Sequence, residues 1–379
     1  MPWQEVTAMS QRHEFVSLAS DEDANIRLLC RRFGVSPTTA YKWLRRYERD
    51  GPAGLAEQSR RPEHSPARTA PETEELLTNL RRRHPAWGAR KLRARLTHLG
   101  HTNLPATSTI TDILRRHGLI TPEDSQQRRP FIRFEHESPN DLWQMDFKGD
   151  FALPQGRCHT LTVVDDHSRF ALALEACRDQ TRTTVQACLT AAFRRYGLPW
   201  RMLTDNGSPW GTCHRGARFT RLSAWLLRYG IAISHGRPYH PQTQGKDERF
   251  NRTLQAEVLR GRTFRDHRNV QEHLDPWRDV YNLERPHEAL GLATPASRYQ
   301  PSLRPFPETL PPIEYGPDDQ VRHTDYQGYV HFQGRKIFVS EAFALQPLAF
   351  RPTATDGLLG VFFCQQQVDT LDLRNHTGS

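Results

Sequence analysis

Three acidic residues occupy positions where a carboxylate needs a reason. Asp146 interrupts the apolar, aromatic segment WQMDF at 143–147. Asp is depleted in strands, and one held in a sheet centre must be paired, neutral or bound to a cation. Asp205 directly follows the apolar run RMLT and precedes Asn206-Gly207. Asp-Asn-Gly at a strand end is a common turn signal, yet the carboxyl end of a strand is also where α/β proteins assemble active sites. Glu248 lies in HPQTQGKDERFNRTLQAEVLR at 240–260, where Phe250, Leu254 and Val258 mark a core-facing helical stripe. At about 100° per residue it falls roughly 200° from Phe250, on the polar face with Arg252 and Gln255. Taken singly, the three read as a hydrogen-bond acceptor, a turn and a solvated helix glutamate.

Other chemistries find no support. Gly236 to Lys246 is not a phosphate-binding loop, because eight residues rather than four separate its glycines and Asp247 stands where Ser or Thr is needed. His287-Glu288 lacks the second His of a zinc-protease helix, and neither G-x-G-x-x-G nor G-x-S-x-G occurs. The six cysteines form no C-x-x-C pair, which argues against a zinc cage and a secreted disulfide framework. The start, MPWQEVTAMSQRH, has no signal-peptide pattern, and no apolar run is long enough to span a bilayer. With 36% hydrophobic and 25% charged residues, the expectation is a soluble cytoplasmic protein with no membrane partner.

The acids must be positioned by the elements around them. Strand-like segments at 142–153, 159–168 and 169–176 read as an antiparallel meander. A helix at 181–196, a strand at 200–204, a helix at 220–229 and a strand at 231–234 follow, which predicts a mixed sheet flanked by helices. Within the first strand Trp143, Met145 and Phe147 share one face, and Leu142, Gln144 and Asp146 the other.

Four segments carry a resemblance: WQMDF at 143–147, TVVDDHSRF at 162–170, LTDNGSPW at 203–210 and PYHPQTQGKDERFNRTL at 238–254. Together they resemble the catalytic core of the DDE insertion-sequence transposases of the retroviral-integrase-like family. The likeness spans roughly Leu142 to Tyr299, including RPHEALGLATPASRY at 285–299. It implies an α/β, RNase H-like core with Asp146, Asp205 and Glu248 as catalytic and metal-binding triad. It also implies two Mg²⁺ ions, replaceable by Mn²⁺, with Asp146 serving both. Water would hydrolyse the strand at the transposon end, and the freed 3′-hydroxyl would attack target DNA. Lys246 is then a candidate phosphate contact, with Arg252, Tyr239, His240, Gln242 and Gln244 as further DNA-end candidates. Two departures stand out. The 42 residues between Asp205 and Glu248 exceed the usual family interval, the surplus falling in WGTCHRGARF, and Asp247 sits where the family has an apolar or small residue. Asp165, Asp166 and Glu257 read as structural.

The charge is uneven. Residues 24–133 hold 22 Lys and Arg against 10 Asp and Glu, whereas 134–379 hold 29 against 28, within a net charge of +9. A surplus confined to one helical region, nearly all of it Arg, is the footprint of nucleic-acid binding, with double-stranded DNA the expected partner. Asn25–Phe33, the turn Gly34-Val35-Ser36 and a helix from Pro37 to about Arg49 form a helix-turn-helix. Its second helix presents Thr38, Thr39, Lys42, Arg45 and Arg46. A second such unit has helices at 71–83, to about His98, and at 108–117 with Ser108 or Thr109 as cap. Its outer face carries Arg90, Lys91, Arg115 and Arg116.

The expected organisation is a first helix-turn-helix domain at 1–57, a basic linker at 58–70 bearing Arg60 and Arg61, and a second helix-turn-helix domain at 71–120. A connector at 121–139, the catalytic domain at 140–300 and a Pro-rich connector at 301–317 follow. Six strand-like runs at 318–379 predict a small β-barrel, SH3-like by the resemblance. The resemblance further implies a homodimer or higher oligomer holding two DNA ends, a possible ATP-dependent helper protein and a bacterial nucleoid location. The rival reading is a catalytically silent DNA-binding regulator derived from such an enzyme; the presence of all three acids counts against it.

Overall fold

The computed structural model describes residues 7–58, 68–120, 135–205, 207, 209–210, 219–235 and 245–374. The chain forms two compact units, Met1–Arg68 and Thr69–Ser379.

In the first unit, α1 (Ala8–Ala19), α2 (Ile26–Phe33) and α3 (Pro37–Asp50) pack around Phe15, Val16, Cys30, Ala40, Trp43 and Leu55. Local chemistry sets the α2–α3 turn. Asn25 Oδ1 accepts the Leu28 N–H at 3.1 Å, Gly34 closes α2 at φ +63°, and Ser36 Oγ accepts the Thr39 N–H ahead of α3. Gly suits that left-handed turn because it has no Cβ to clash. The unpredicted α1 starts with a reciprocal Thr7–Ser10 cap, and its buried residues, Phe15 and Val16, are adjacent rather than helically spaced.

The second unit opens with α4 (Pro71–Arg83), α5 (Ala89–His98) and α6 (Thr107–Arg116) around Leu77, Trp87, Leu92, Leu96, Ile110, Ile113 and Leu114. Here one local expectation is corrected. Ala106 is the cap of α6, without a side-chain bond, because the Ile110 N–H reaches back to the Ala106 carbonyl at 2.9 Å; Ser108 and Thr109 lie inside the first turn. This bundle rests on the rest of the unit through an Arg95–Glu284 ion pair at 2.7 Å and Val280, which joins its apolar core.

The central sheet comprises β1 (Trp143–Ala152), β2 (Arg157–Asp165), β3 (Ala171–Cys177), β4 (Arg201–Thr204) and β5 (Ala232–His235), in the order β3-β2-β1-β4-β5. The first three are antiparallel, and β4 and β5 join parallel to β1. Strand alternation builds two cores. Trp143, Met145, Leu161 and Val163 pack with α7 (Arg182–Tyr196) and α8 (Arg221–Arg228). Cys158, Val164 and Leu174 pack with α9 (Gly245–Leu254) and α10 (His267–Asp279). The core is therefore an α/β RNase H-like mixed sheet between helical layers.

The tail contains β6 (Gln320–His323), β7 (Tyr329–Phe332), β8 (Arg335–Phe338), β9 (Pro347–Pro352), β10 (Leu358–Phe363) and β11 (Gln366–Asp372). They make a four-stranded antiparallel sheet, β11-β10-β9-β6, and a β7–β8 hairpin, joined by stacked Phe332 and Phe350 rings 4.4 Å apart. The tail also caps an edge: the Gln366 side-chain amide accepts from Ile233 N at 2.9 Å and donates to Ile233 O at 3.2 Å. The Pro-rich connector lies packed rather than slack, with Phe306 against Phe193 and Tyr229 and Arg304 donating to carbonyls of Pro199, Tyr229 and Gly230. Among the described residues no helix is long and apolar enough to cross a membrane.

Candidate active site

Parallel pairing brings two of the acids together. Trp143 lies opposite Met202 and Gln144 opposite Leu203, so the same register carried two residues onward sets Asp146 opposite Asp205, just beyond β4. Helix α9 crosses this end of the sheet. Its Asn251 Nδ2 donates to Asp146 Oδ2 at 3.1 Å, and Glu248 lies one turn earlier on the same helix. Burial pushes the Asp146 carboxyl up to about 6, reinforced by the negative charges of Asp205 and Glu248. Asp205 folds back so that its Oδ1 accepts the Gly207 N–H at 3.0 Å. A Cβ at position 207 would stand 3.3 Å from the same carboxylate, so the turn favours Gly.

Asp146 is half-buried and Glu248 exposed. Among the described residues no three acidic, histidine or cysteine side chains close on one another tightly enough to cage an ion. The charges of Asp205 and Glu248 nevertheless reach Asp146 and repel its ionised form. An oxygen-only set of like charges fits a hard divalent cation, which would relieve the repulsion that raises Asp146.

One neighbour escaped sequence reading. Asn251 touches Asp146 directly; its i+3 spacing from Glu248 was the available signal. Asp247 is 2% exposed, and burial, then the charges of Asp146 and Asp166, hold its carboxyl well above the usual carboxylate range. Its neighbour Glu248 is exposed. Asp165 accepts from Asn140 N, Ser168 N and the Ser168 hydroxyl, and Glu257 pairs with Arg285 at 3.1 Å and accepts from Trp277 Nε1. Both are engaged in the scaffold.

Lys246 does not stand open toward solvent. Its ammonium pairs with the Asp166 carboxylate and also donates to the Asp166 carbonyl at 3.1 Å, leaving the side chain 16% exposed. Arg252 on α9 is exposed. Asn206, Tyr239, His240, Gln242 and Gln244, and most of the WGTCHRGARF surplus, lie outside the described residues, as do Arg60 and Arg61.

On the first unit, Thr38, Thr39, Tyr41, Lys42 and Arg45 line one shallow surface depression along α3. Arg46, half-buried, lies over Trp43 with its guanidinium carbon 5.1 Å from the ring centroid, and the Lys42 ammonium lies 4.8 Å from the same ring. On the second bundle Arg90 is exposed. Burial, then the nearby Arg285 charge, pulls Lys91 down to about 8. Arg115 pairs with Asp112 at 2.6 Å, and Arg116 with the buried Glu74 at 2.9 Å.

Residues 136–241 match one Integrase core domain family and residues 229–295 another. Upstream, residues 11–63 match a Helix-turn-helix domain and 39–114 a Homeodomain-like domain; residues 319–379 match the IS481 family transposase, C-terminal domain. An uncharacterized protein of insertion element IS407 from Burkholderia multivorans is 28% identical over 249 residues, 62% of this chain and 82% of that protein. One of insertion element IS476 from Xanthomonas euvesicatoria is 31% identical over 160 residues, 42% of this chain but only 44% of that protein. A chain of a simian T-cell lymphotropic virus intasome aligns over 77% of this chain and 96% of its own length at 18% identity, with a TM-score of 0.36, too low to carry weight.

Proposed function

We infer that this chain is an insertion-sequence transposase of the retroviral-integrase-like superfamily, and from that premise we propose that it binds the terminal inverted repeats of its element, hydrolyses the strand at each end and joins the freed 3′-hydroxyl to target DNA. The observation that chiefly supports the reading is the register of β1 and β4, which sets Asp146 beside Asp205, together with the α9 hydrogen bond to Asp146.

Asp146, Asp205 and Glu248 would hold two Mg²⁺ ions, Asp146 serving both and the other acids one each, with Mn²⁺ as a substitute. When bound, the ions supply the positive charge that activates the attacking water or hydroxyl and stabilises the leaving oxygen. The chain's own residues then have defined tasks. Asn251 orients the Asp146 carboxylate, and on the opposite face of β1 the stacked rings of Phe147 and Trp210, 5.5 Å apart, anchor the strand in its core. The helical modules hold the DNA, so that alignment rather than a nucleophilic side chain accelerates the reaction. A dimer or larger assembly would bring two ends to one target.

The direct test uses the purified protein with DNA carrying the inverted repeats that flank its coding region. Mg²⁺-dependent nicking at the repeat end and joining to a second duplex are expected, with loss in EDTA. End binding without any metal-dependent nicking would overturn the reading in favour of a silent regulator.

DNA reading by α3 gives a separate expectation. Arg45→Ala should weaken repeat binding by about 1–3 kcal/mol if it reads a base, or flatten the salt dependence by about one counterion if it holds a phosphate. Fluorescence anisotropy across a salt series separates these outcomes. Unchanged affinity throughout would reject α3 as the reading helix. Arg46→Ala, by contrast, should act on the stability of the first unit, through lost packing on Trp43.

A further inference from the structure

The β2–β3 turn carries an acid that the proposed reaction leaves without a task. Asp166 is 3% exposed, and its carboxylate gathers three donors. Gln144 Nε2 donates to Oδ1 at 2.7 Å, the His136 N–H donates to Oδ2 at 2.9 Å, and the Lys246 ammonium pairs with Oδ1. The Asp166 carbonyl accepts again from Lys246 at 3.1 Å and from the Arg169 guanidinium. A buried carboxylate with this many donors is a rigid node, because each lost partner would leave a charge or dipole unsatisfied.

The two side chains it binds occupy matching places. Gln144 precedes Asp146 by two residues on β1, hence on the same strand face. Lys246 precedes Glu248 by two residues in the first turn of α9. One carboxylate therefore ties the strand bearing the first acid to the helix bearing the third. A second polar link between these elements, Asn251 to Asp146, lies on the far side of Glu248 along α9.

We propose that Asp166 and Lys246 are positioning residues, which set the separation of Asp146 and Glu248 by clamping the start of α9 to the β2–β3 turn. The inference rests on the reading of Glu248 as the third acid. It also assigns Lys246 a role different from a DNA phosphate contact. Neither residue touches DNA or the reacting atoms; both act through the geometry of the carboxylates.

The test uses full-length Asp166→Asn, Lys246→Met and their double variant, with Glu248→Gln alongside. Divalent-ion binding is measured by calorimetry without DNA, end binding by anisotropy, and joining with Mg²⁺ and with Mn²⁺. Each single variant is expected to weaken ion binding and to slow Mg²⁺-dependent joining by about 10–100-fold, the scale of losing a group that orients a ligand. End binding and its salt dependence should be unchanged, and Mn²⁺ should restore part of the activity. The double variant should lose no more than either single one, since the two residues act as one unit.

Wild-type ion binding and joining in Lys246→Met would overturn the proposal, and this variant, in the first turn of α9, decides the matter should Asp166→Asn fail to fold. Weakened end binding with a shallower salt slope, and unaltered ion affinity, would equally overturn it and return Lys246 to the phosphates. If Glu248→Gln joins normally, what fails is the identity of the third acid, a result distinguishable from failure of the clamp.

Discussion

Asp146→Asn is expected to abolish both end cleavage and joining, a loss on the order of 10³-fold or more, the upper scale for removing one element of transition-state charge stabilisation. Asn keeps the shape and the capacity to accept from Asn251, so the β1 backbone and the packing of Trp143 and Met145 should survive. What disappears is the charge that burial and two neighbouring carboxylates already make costly to hold without a cation. Asp205→Asn and Glu248→Gln should behave alike, and combining them should add little, because the acids act as a unit. Single-turnover joining assays, paired with end-binding titrations that stay near wild type, check the expectation. Undiminished joining by any one variant removes that acid from the set. Asp247→Asn provides the contrast: its side chain is buried, so it should retain joining.

Phe250→Ala should destabilise the second unit by about 3–5 kcal/mol, the usual cost of deleting a buried aromatic and leaving a cavity. Phe250 is 1% exposed, with the Trp277 and Tyr281 rings edge-on at 5.4 and 4.8 Å, and it lies on α9 two residues after Glu248. The ring therefore holds down the helix that presents the third acid, and joining should fall even at temperatures where the variant remains folded. Urea denaturation followed by tryptophan fluorescence measures the stability change. Arg252→Ala, exposed on the same helix, should shift it by no more than about 0.5 kcal/mol. An unmoved midpoint for Phe250→Ala would mean that packing under α9 does not fix the helix.

Local signals made much of the architecture legible. Asn25, Gly34, Ser36 and Pro37 each act through their own backbone neighbours, so the α2–α3 turn is written in four residues. The six strand-like runs of the tail and the strand–helix alternation from β1 to β5 follow from periodicity of the same short range. Helix α1 was not legible, because its buried pair is adjacent and shows no helical repeat. The α6 cap was misplaced because Ser and Thr suit a cap chemically, while the Ala106 carbonyl starts the helix earlier.

At the site the division is equally physical. Types and spacing of Asp146, Asp205 and Glu248, with the segments around them, point to one carboxylate set from the sequence alone. Only tertiary packing decided which of two adjacent acids is buried and that Asn251 reaches Asp146. Packing likewise decided that the Lys246 ammonium meets Asp166, eighty residues away in the chain. Backbone preferences and periodicity act over a few residues and can be read in order along the chain. Burial and charge pairing depend on which distant segments become neighbours, and that is settled when the sheet, its two helical layers and the packed connector close around one another.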